Sequence, residues 1–344
     1  MKITILYDTW EGTEEYPGET ADLARKGKKL KRPKLDREEI AAALTKLDHE
    51  VDMYVLDGHD ASLSGLMRKQ ADLFFNLTES YGGDDSKDLH LAAFLELVGK
   101  RYTGGGVQAL CVAQDKVLAK KIVGFHGLHT PFFAVSHRGR FDLERDIQFP
   151  MIVKPSSADG SKGIDIGSVV TSVKELMERI DYIEKEFDCP SLIEEFIEGR
   201  EIYVAVLGND RPEALPLIEL DLSKLPEGMP RIAGYEVKFE RDHEAYKLTK
   251  SGAIEDLDEE RTKEIQEVAL TAYSALKMRD YARIDLRVSP KGQIYVIEAN
   301  PNPWLSSSAE FAMAARASGR TYNQTIGEIV ELAAARYGRG GIGN

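Results

Sequence analysis

The apolar positions of this chain fall into short alternating runs and longer helical stripes. Residues 2–7 form a β-branched run that reads as a buried strand. Residues 36–47 set Ile40, Leu44 and Leu47 on one stripe, the spacing of an amphipathic helix. Residues 51–56 and 71–76 are two more runs of strand length. Strand, helix and strand with short links predict an α/β domain on a parallel sheet. A helix over 89–98 follows, with Asp88 placed to cap it. Asp115 opens a helix that carries Lys116, Lys120 and Lys121 and ends near Gly124 or Gly127. Residues 149–155 and 191–197 read as strands, with a helix over 173–187 between them. Residues 203–207, 215–222 and 234–239 are further strand candidates, and 240–255 is polar enough for a lid. A long helix over 259–278 turns Ile265, Val268, Ala269, Ala272 and Leu276 to one side, and a last helix spans 324–337. No internal repeat is visible.

The most informative stretch is Y-A-R-I-D-L-R-V-S-P-K-G-Q-I-Y-V-I-E-A-N, residues 281–300. Arg283, Asp285 and Arg287 share one parity, and Ile284, Leu286 and Val288 the other, which is the period of a half-buried strand. Ser289, Pro290, Lys291 and Gly292 supply turn chemistry before a second strand. If those four residues form the loop, Arg283 pairs with Glu298 and Asp285 with Val296. Arg283, Asp285, Glu298 and Asn300 then lie on one face. Two carboxylates and a carboxamide are the oxygen donors that magnesium takes together with phosphate. A solvated hairpin with a surface ion pair is the plain alternative.

Glycine-rich turns add candidate ligand edges. One lies at residues 82–83, after the third strand, and another at 104–106, where a domain boundary is expected. Lys154 ends a strand and precedes S-S-A-D-G-S-K-G, whose small residues let backbone N–H groups approach an anion. A hairpin flap with an ordinary surface lysine fits the same residues. There is no G-x-x-x-x-G-K-[ST] motif, and no G-x-G-x-x-G after the first strand. Arg25, Lys26, Lys28, Lys29, Lys31, Arg32 and Lys34 crowd one polar segment, either a solvated loop or a clamp for an anionic substrate or partner.

Composition narrows the classes. The 344 residues suffice for two or three domains, and 42% hydrophobic with 30% charged residues suits a globular protein. A net charge of -13 argues against general nucleic-acid binding. Cys111 and Cys189 lack metal spacing and exclude a disulfide scaffold, which fits a reducing compartment. No run reaches transmembrane length and no signal peptide is recognisable, so a cytoplasmic location is expected.

Taken together, the lysine before the glycine-rich flap, the I-E-E-F-I-E-G-R-E stretch and the R-I-D-L…I-E-A-N-P-N-P hairpin resemble the ATP-grasp superfamily, and within it the D-alanine–D-alanine ligases. The resemblance implies α/β architecture in three domains: an N-terminal parallel-sheet domain over 1–106, a central ATP-grasp part over 107–193, and a C-terminal part with the metal site over 194–340. ATP would be held between two sheets. It further implies an ADP-forming carboxylate–amine ligase working through an acylphosphate, with small-molecule carboxylate and amine substrates. The family often forms homodimers.

By the same resemblance, Lys116, Lys154 and Lys238 contact the ATP phosphates, with Gly160 and Ser161 in the flap over them. Glu194, Glu195, Phe196 and Ile197 form the adenine linker, and Glu201 holds the ribose hydroxyls. Asp285, Glu298 and Asn300 ligate two magnesium ions, a role manganese can also fill. Arg283 steadies the tetrahedral adduct. The amino-acid half departs from the family. Thr13 stands where the family has a glutamate for the substrate ammonium, with Glu11, Glu14 and Glu15 nearby. Gly160, Phe239 and Ala309 replace the family's flap serine, a tyrosine and a late serine, with Ser306, Ser307 and Ser308 just before Ala309. The expectation is therefore a ligase for substrates other than two D-alanines. The alternatives are a true D-alanine–D-alanine or depsipeptide ligase with a divergent pocket, and a catalytically silent nucleotide binder.

Overall fold

The computed structural model describes residues 1–9, 35–142, 146–157, 161–238, 240 and 242–338. The basic cluster from Arg25 to Lys34, Thr13 and its neighbouring glutamates, Gly160 and Phe239 lie outside the described residues.

The N-terminal part follows the sequence pattern. Strand β1 (Lys2–Asp8), helix α1 (Asp36–Lys46), strand β2 (Glu50–Leu56), helix α2 (Asp60–Arg68), strand β3 (Leu73–Asn76) and helix α3 (Asp88–Leu97) build a parallel sheet in the order β2-β1-β3. Ile40 and Leu44 of α1 are fully buried, as their stripe predicts. Asp88 is a correction. It is the first residue of α3, not its cap, because a short 3₁₀ turn already bends the chain into the helix. Its carboxylate instead accepts the Gln114 side-chain amide.

Helices α4 (Val107–Gln114) and α5 (Lys116–Phe125) come next. Asp115 caps α5 as expected, accepting the Leu118 amide at 2.9 Å. Strands β4 (Phe133–His137), β5 (Arg140–Asp142), β6 (Met151–Pro155) and β7 (Val169–Val170) follow, then helix α6 (Val173–Phe187) and strand β8 (Ser191–Glu195). They form an antiparallel sheet ordered β5-β4-β8-β6-β7, and Leu176, Ile180 and Ile183 of α6 pack on it.

The second antiparallel sheet begins with β9 (Arg200–Leu207), β10 (Glu213–Ala214) and β11 (Ile218–Asp221). Helices α7 (Tyr235–Lys238) and α8 (Glu244–Leu248) precede β12 (Lys250–Ala253), and helix α9 (Glu259–Ala275) leads to β13 (Tyr281–Val288) and β14 (Ile294–Asn300). The order is β12-β11-β9-β13-β14, with β10 on β9. Helices α10 (Glu310–Ala317) and α11 (Tyr322–Gly338) close the described chain.

This sheet buries both faces, and its alternation decides which residue goes where. Ile202, Val204, Ile284 and Leu286 face Ile265, Ala269 and Ala272 of α9, joined by Ala109 of α4 and Val123 of α5. Tyr203, Ala205 and Tyr281 face the other way, in a core shared with Ile3, Ile5 and Ile40 of the N-terminal part and with Phe311 and Ile326. Among the described residues no helix is long and apolar enough to cross a membrane.

Two expectations near this sheet need correction. Residues 234–239 alternate in polarity, yet Tyr235–Lys238 is a single helical turn. Only Val237 of that turn is buried, so no strand partner rewards the alternation. The polar segment 240–255 is not wholly free of the sheet, because β12 pairs antiparallel with β11 and Ala245 of α8 is buried.

Candidate functional site

The hairpin β13–β14 carries the centre of the site, in a register other than the one the turn predicts. Next to the loop, Val288 pairs with Ile294 and Leu286 with Val296. The ladder then shifts, so Asp285 pairs with Glu298 and Arg283 with Asn300, leaving Ile297 as an extra residue. The expected pairs, Arg283 with Glu298 and Asp285 with Val296, do not form. The expected face does. A bulge moves the second half of β14 by one residue and so places Glu298 opposite Asp285. The Ile297 carbonyl, out of the ladder, lies 3.4 Å from Lys120 Nζ.

Opposite charges fix each group on this face. Arg283 holds Asp285 in a two-pronged pair, Nε to Oδ1 at 2.7 Å and Nη2 to Oδ2 at 2.9 Å. Lys116 Nζ lies 2.7 Å from Glu298 Oε1. Burial alone would push the Glu298 carboxyl up, but Lys116, Lys154 and Lys238 outweigh it and bring it down to about 2. Burial dominates at Asp285 and raises its carboxyl, against Arg283 and Lys238. Lys116, expected on the helix after Asp115, thus pairs directly with this carboxylate, while the positive charges of Lys154 and Lys238 also favour its ionised form.

A second buried knot joins this centre to β8. Glu194 is 1% exposed, and its two oxygens are held by Lys120 and by Lys154 at 2.5 Å. Burial would raise this carboxyl, and the two lysines hold it below its ordinary range. Lys120 also reaches Thr130 Oγ1 at 3.0 Å. It lies on the sequence helix but only the fold reveals its position here, since its partners are 10 to 177 residues away along the chain.

The remaining expected residues fall along one path. Glu195 and Phe196 are half-buried and Ile197 is buried, with the Glu195 amide donating to Phe132 O at 2.8 Å and the Phe196 amide to Pro150 O at 3.1 Å. Glu201 on β9 stands opposite Arg287 on β13 and accepts from it at 2.6 Å. Ser161 adopts a left-handed backbone with φ of 60°, and its hydroxyl donates to Ala233 O at 3.2 Å. The Tyr235 amide donates to Ile164 O at 2.8 Å. The described flap residues therefore rest on the segment that carries Lys238.

The hard oxygen donors fit a magnesium ion. Asp285, Glu298 and Asn300 share one strand pair, and each offers a side-chain oxygen. Among those residues, no three His, Cys, Asp or Glu side chains could hold a metal together. The cation would draw its remaining ligands from phosphate and water, as magnesium commonly does.

Past Asn300 the chain leaves the sheet. Residues 301–308 lead to Ala309, which precedes α10 and offers no side-chain cap. Ser306 and Ser308 hydroxyls lie 3.0 Å apart. Ser307 donates its amide and hydroxyl to Glu39 of α1 at 2.7 and 2.8 Å. Glu310, which sequence reasoning missed, brings a carboxylate 3.7 Å from Arg283 and accepts from Ser251 at 3.1 Å. Trp304 in this loop is 53% exposed.

Known proteins resemble this chain in sequence and fold. Residues 127–331, more than half of the chain, match the family model described as D-ala D-ala ligase C-terminus. An uncharacterised protein, y4sG, of Sinorhizobium fredii is 30% identical over 311 residues, covering 88% of each chain. A D-alanine–D-alanine ligase of Aquifex aeolicus is 31% identical over 299 residues, covering 85% of this chain and 92% of its own. The crystal structure of a D-alanine–D-alanine ligase of Bacillus anthracis complexed with ATP superposes with a TM-score of 0.72 at 23% identity, covering 98% of this chain and 99% of its own.

Proposed function

Because the chain belongs to the D-alanine–D-alanine ligase family of ATP-grasp enzymes and is an ATP-dependent, ADP-forming ligase, we propose that it joins a carboxylate to an amine through an acylphosphate, on a substrate other than two D-alanines. The observation that carries the proposal is the set of buried ion pairs that brings Lys116 to Glu298 and Lys154 to Glu194, beside the Arg283–Asp285 pair. Phosphoryl transfer needs little else than positioning and charge neutralisation.

In this reading Lys116, Lys154 and Lys238 receive the phosphates, and Ser161 with Gly160 covers them. Glu194, Glu195, Phe196 and Ile197 border the base, and Glu201 accepts from the ribose. Asp285, Glu298 and Asn300 would hold magnesium, which would supply neutralisation of phosphate charge. The donor carboxylate attacks the γ-phosphorus and ADP leaves. The amine attacks the acyl carbon, giving a tetrahedral adduct whose oxyanion faces Arg283. Collapse expels inorganic phosphate, and the amine proton passes to solvent. The domain limits at residues 106 and 193 belong to the same proposal.

Substrate choice rests on the rewritten positions. Thr13, Gly160, Phe239 and Ala309 each lack a polar or charged group that the family uses for the amino acid. A zwitterion whose charges lack fixed partners in a closed site loses several kcal/mol, or orders of magnitude in specificity. The Aquifex relative favours the second reading, a true D-alanine–D-alanine ligase. The test is to supply D-alanine at high concentration with ATP and magnesium and look for the dipeptide by mass spectrometry. Little dipeptide, with phosphate released on another amino-acid or peptide donor, is expected. Efficient dipeptide formation overturns the substrate proposal.

A further inference from the structure

Arg287 is the third charged residue on the site face of β13, and the chemistry above leaves it without a role. It is 5% exposed. Its guanidinium has five N–H donors, and five bonds leave it. Nε and Nη2 donate to Glu201 Oε2 at 3.1 and 2.6 Å. Nη1 donates to Ile197 O at 3.2 Å and Gly199 O at 3.4 Å. Nη2 also donates to Arg231 O at 2.6 Å. The Phe196 ring centroid lies 5.8 Å from its central carbon. One side chain thus ties together the linker after β8, the carboxylate on β9 and the chain that leads to α7.

The approach of these segments is tight. Gly199 has φ of 136°, and a Cβ there would meet the Val288 carbonyl oxygen at 2.0 Å. The linker can lie against β13 only because residue 199 is glycine. The Glu201 carboxylate is then held by one oxygen. Oε2 is taken by Arg287, while Oε1 receives, among the described residues, one bond, from the Tyr203 hydroxyl at 3.2 Å. A carboxylate oxygen accepts more than one bond, so Oε1 keeps capacity for a donor.

We infer that Arg287 is a positioning residue for the nucleoside half of ATP: it fixes the linker carbonyl of Ile197 and aims Glu201 Oε1 at a ribose hydroxyl, so that nucleotide affinity and the preference for ribose over 2′-deoxyribose depend on it. This rests on the nucleotide assignment above. Lysine cannot replace it, because a point charge cannot reach the carboxylate and three carbonyls together.

The test compares ATP with 2′-deoxy-ATP in the wild type, Arg287→Met and Arg287→Lys, reading nucleotide Kd by titration and KM and kcat by phosphate release. Loss of a charge-assisted hydrogen bond corresponds to about 10- to 100-fold in affinity. Arg287→Met should raise KM for ATP by about that factor, move kcat less, and shrink the ratio between the two nucleotides toward unity. Arg287→Lys should shift in the same direction by a smaller factor. If Arg287→Met does not fold, Arg287→Lys carries the test. A variant that lowers thermal stability but keeps the wild-type KM and nucleotide ratio overturns the inference and leaves Arg287 a structural residue. So does a wild type that binds both nucleotides equally. A wild type that binds neither refutes the nucleotide assignment itself.

Discussion

The hairpin face of β13 and β14 and the loop over residues 301–308 lie next to each other in the chain but are built on different terms. On the hairpin each charge is partnered, as Asp285 is by Arg283 and Glu298 by Lys116. The ladder sets their spacing, and α9 packs behind it. In the loop, Trp304 and Ser308 are exposed, and the anchors come from separate parts of the fold: Gly105 on Asn302, Tyr322 on Leu305 and Glu39 on Ser307. A sheet face locks the groups common to every turnover, whereas a loop can change its side chains without disturbing a ladder. Nucleotide chemistry is expected to be rigid here and amino-acid recognition open to revision.

The comparison can be broken most directly at Glu298. Glu298→Ala is expected to lower kcat by at least about 10³-fold, the scale of losing a principal charge-stabilising group, with the circular dichroism spectrum retained. Turnover near the wild-type level from a folded Glu298→Ala protein would remove the hairpin from the chemistry. Next comes Lys154→Ala, predicted to weaken ATP binding or slow single-turnover phosphoryl transfer by about 10- to 100-fold. Unchanged titrations and rates would make Lys154 a structural partner of Glu194 only.

The loop and the start of α10, into which it leads, should respond differently. For Glu310→Leu we predict a change of about tenfold in KM for the amine and less than about twofold in KM for ATP. Steady-state kinetics with each substrate varied in turn will tell. Equal effects on both substrates would erase the division between hairpin and loop.

The smallest expected effect is on acid stability. Glu298 titrates at about 2 in the folded chain against 4.5 for an ordinary glutamate. Folding thus favours its ionised form, which stabilises the native state above pH 4.5 and loses that contribution as pH falls toward 2. Thermal melts of wild type and Glu298→Gln, without nucleotide, should converge across that window. Parallel pH profiles would show that the lysines do not act on this carboxylate.

Parity was the most legible feature of the sequence. The alternation from Arg283 to Val288 predicts which side chains face the site, and they do. The bulge was not legible, because the offset at Ile297 depends on neighbouring strands and on Lys120, whose partner Glu194 comes from another sheet. Helical stripes such as Ile265, Ala269 and Ala272 read directly, since burial follows one period. The alternating 234–239 misled for the converse reason: a local pattern predicts a strand only where a partner edge exists, and α7 has none. Ionic partners distant in sequence, such as Arg287 with Glu201 or Glu310 with Arg283, carry no local signal at all. The family resemblance proposes Lys116, Lys154 and Lys238 for the phosphates; the fold adds that Lys116 is paired with Glu298 and Lys154 with Glu194.

That pairing has a consequence for how the site meets salt. Lys116 and Lys154 are already matched with Glu298 and Glu194, so a simple anion such as sulfate must displace a carboxylate to reach either. A simple cation faces the converse competition at Glu298. A ligand that brings both signs at once escapes it, since its anion takes the lysine while its cation takes the released glutamate. Nucleotide and divalent ion should therefore bind synergistically, each tightening the other, and background electrolyte should inhibit weakly.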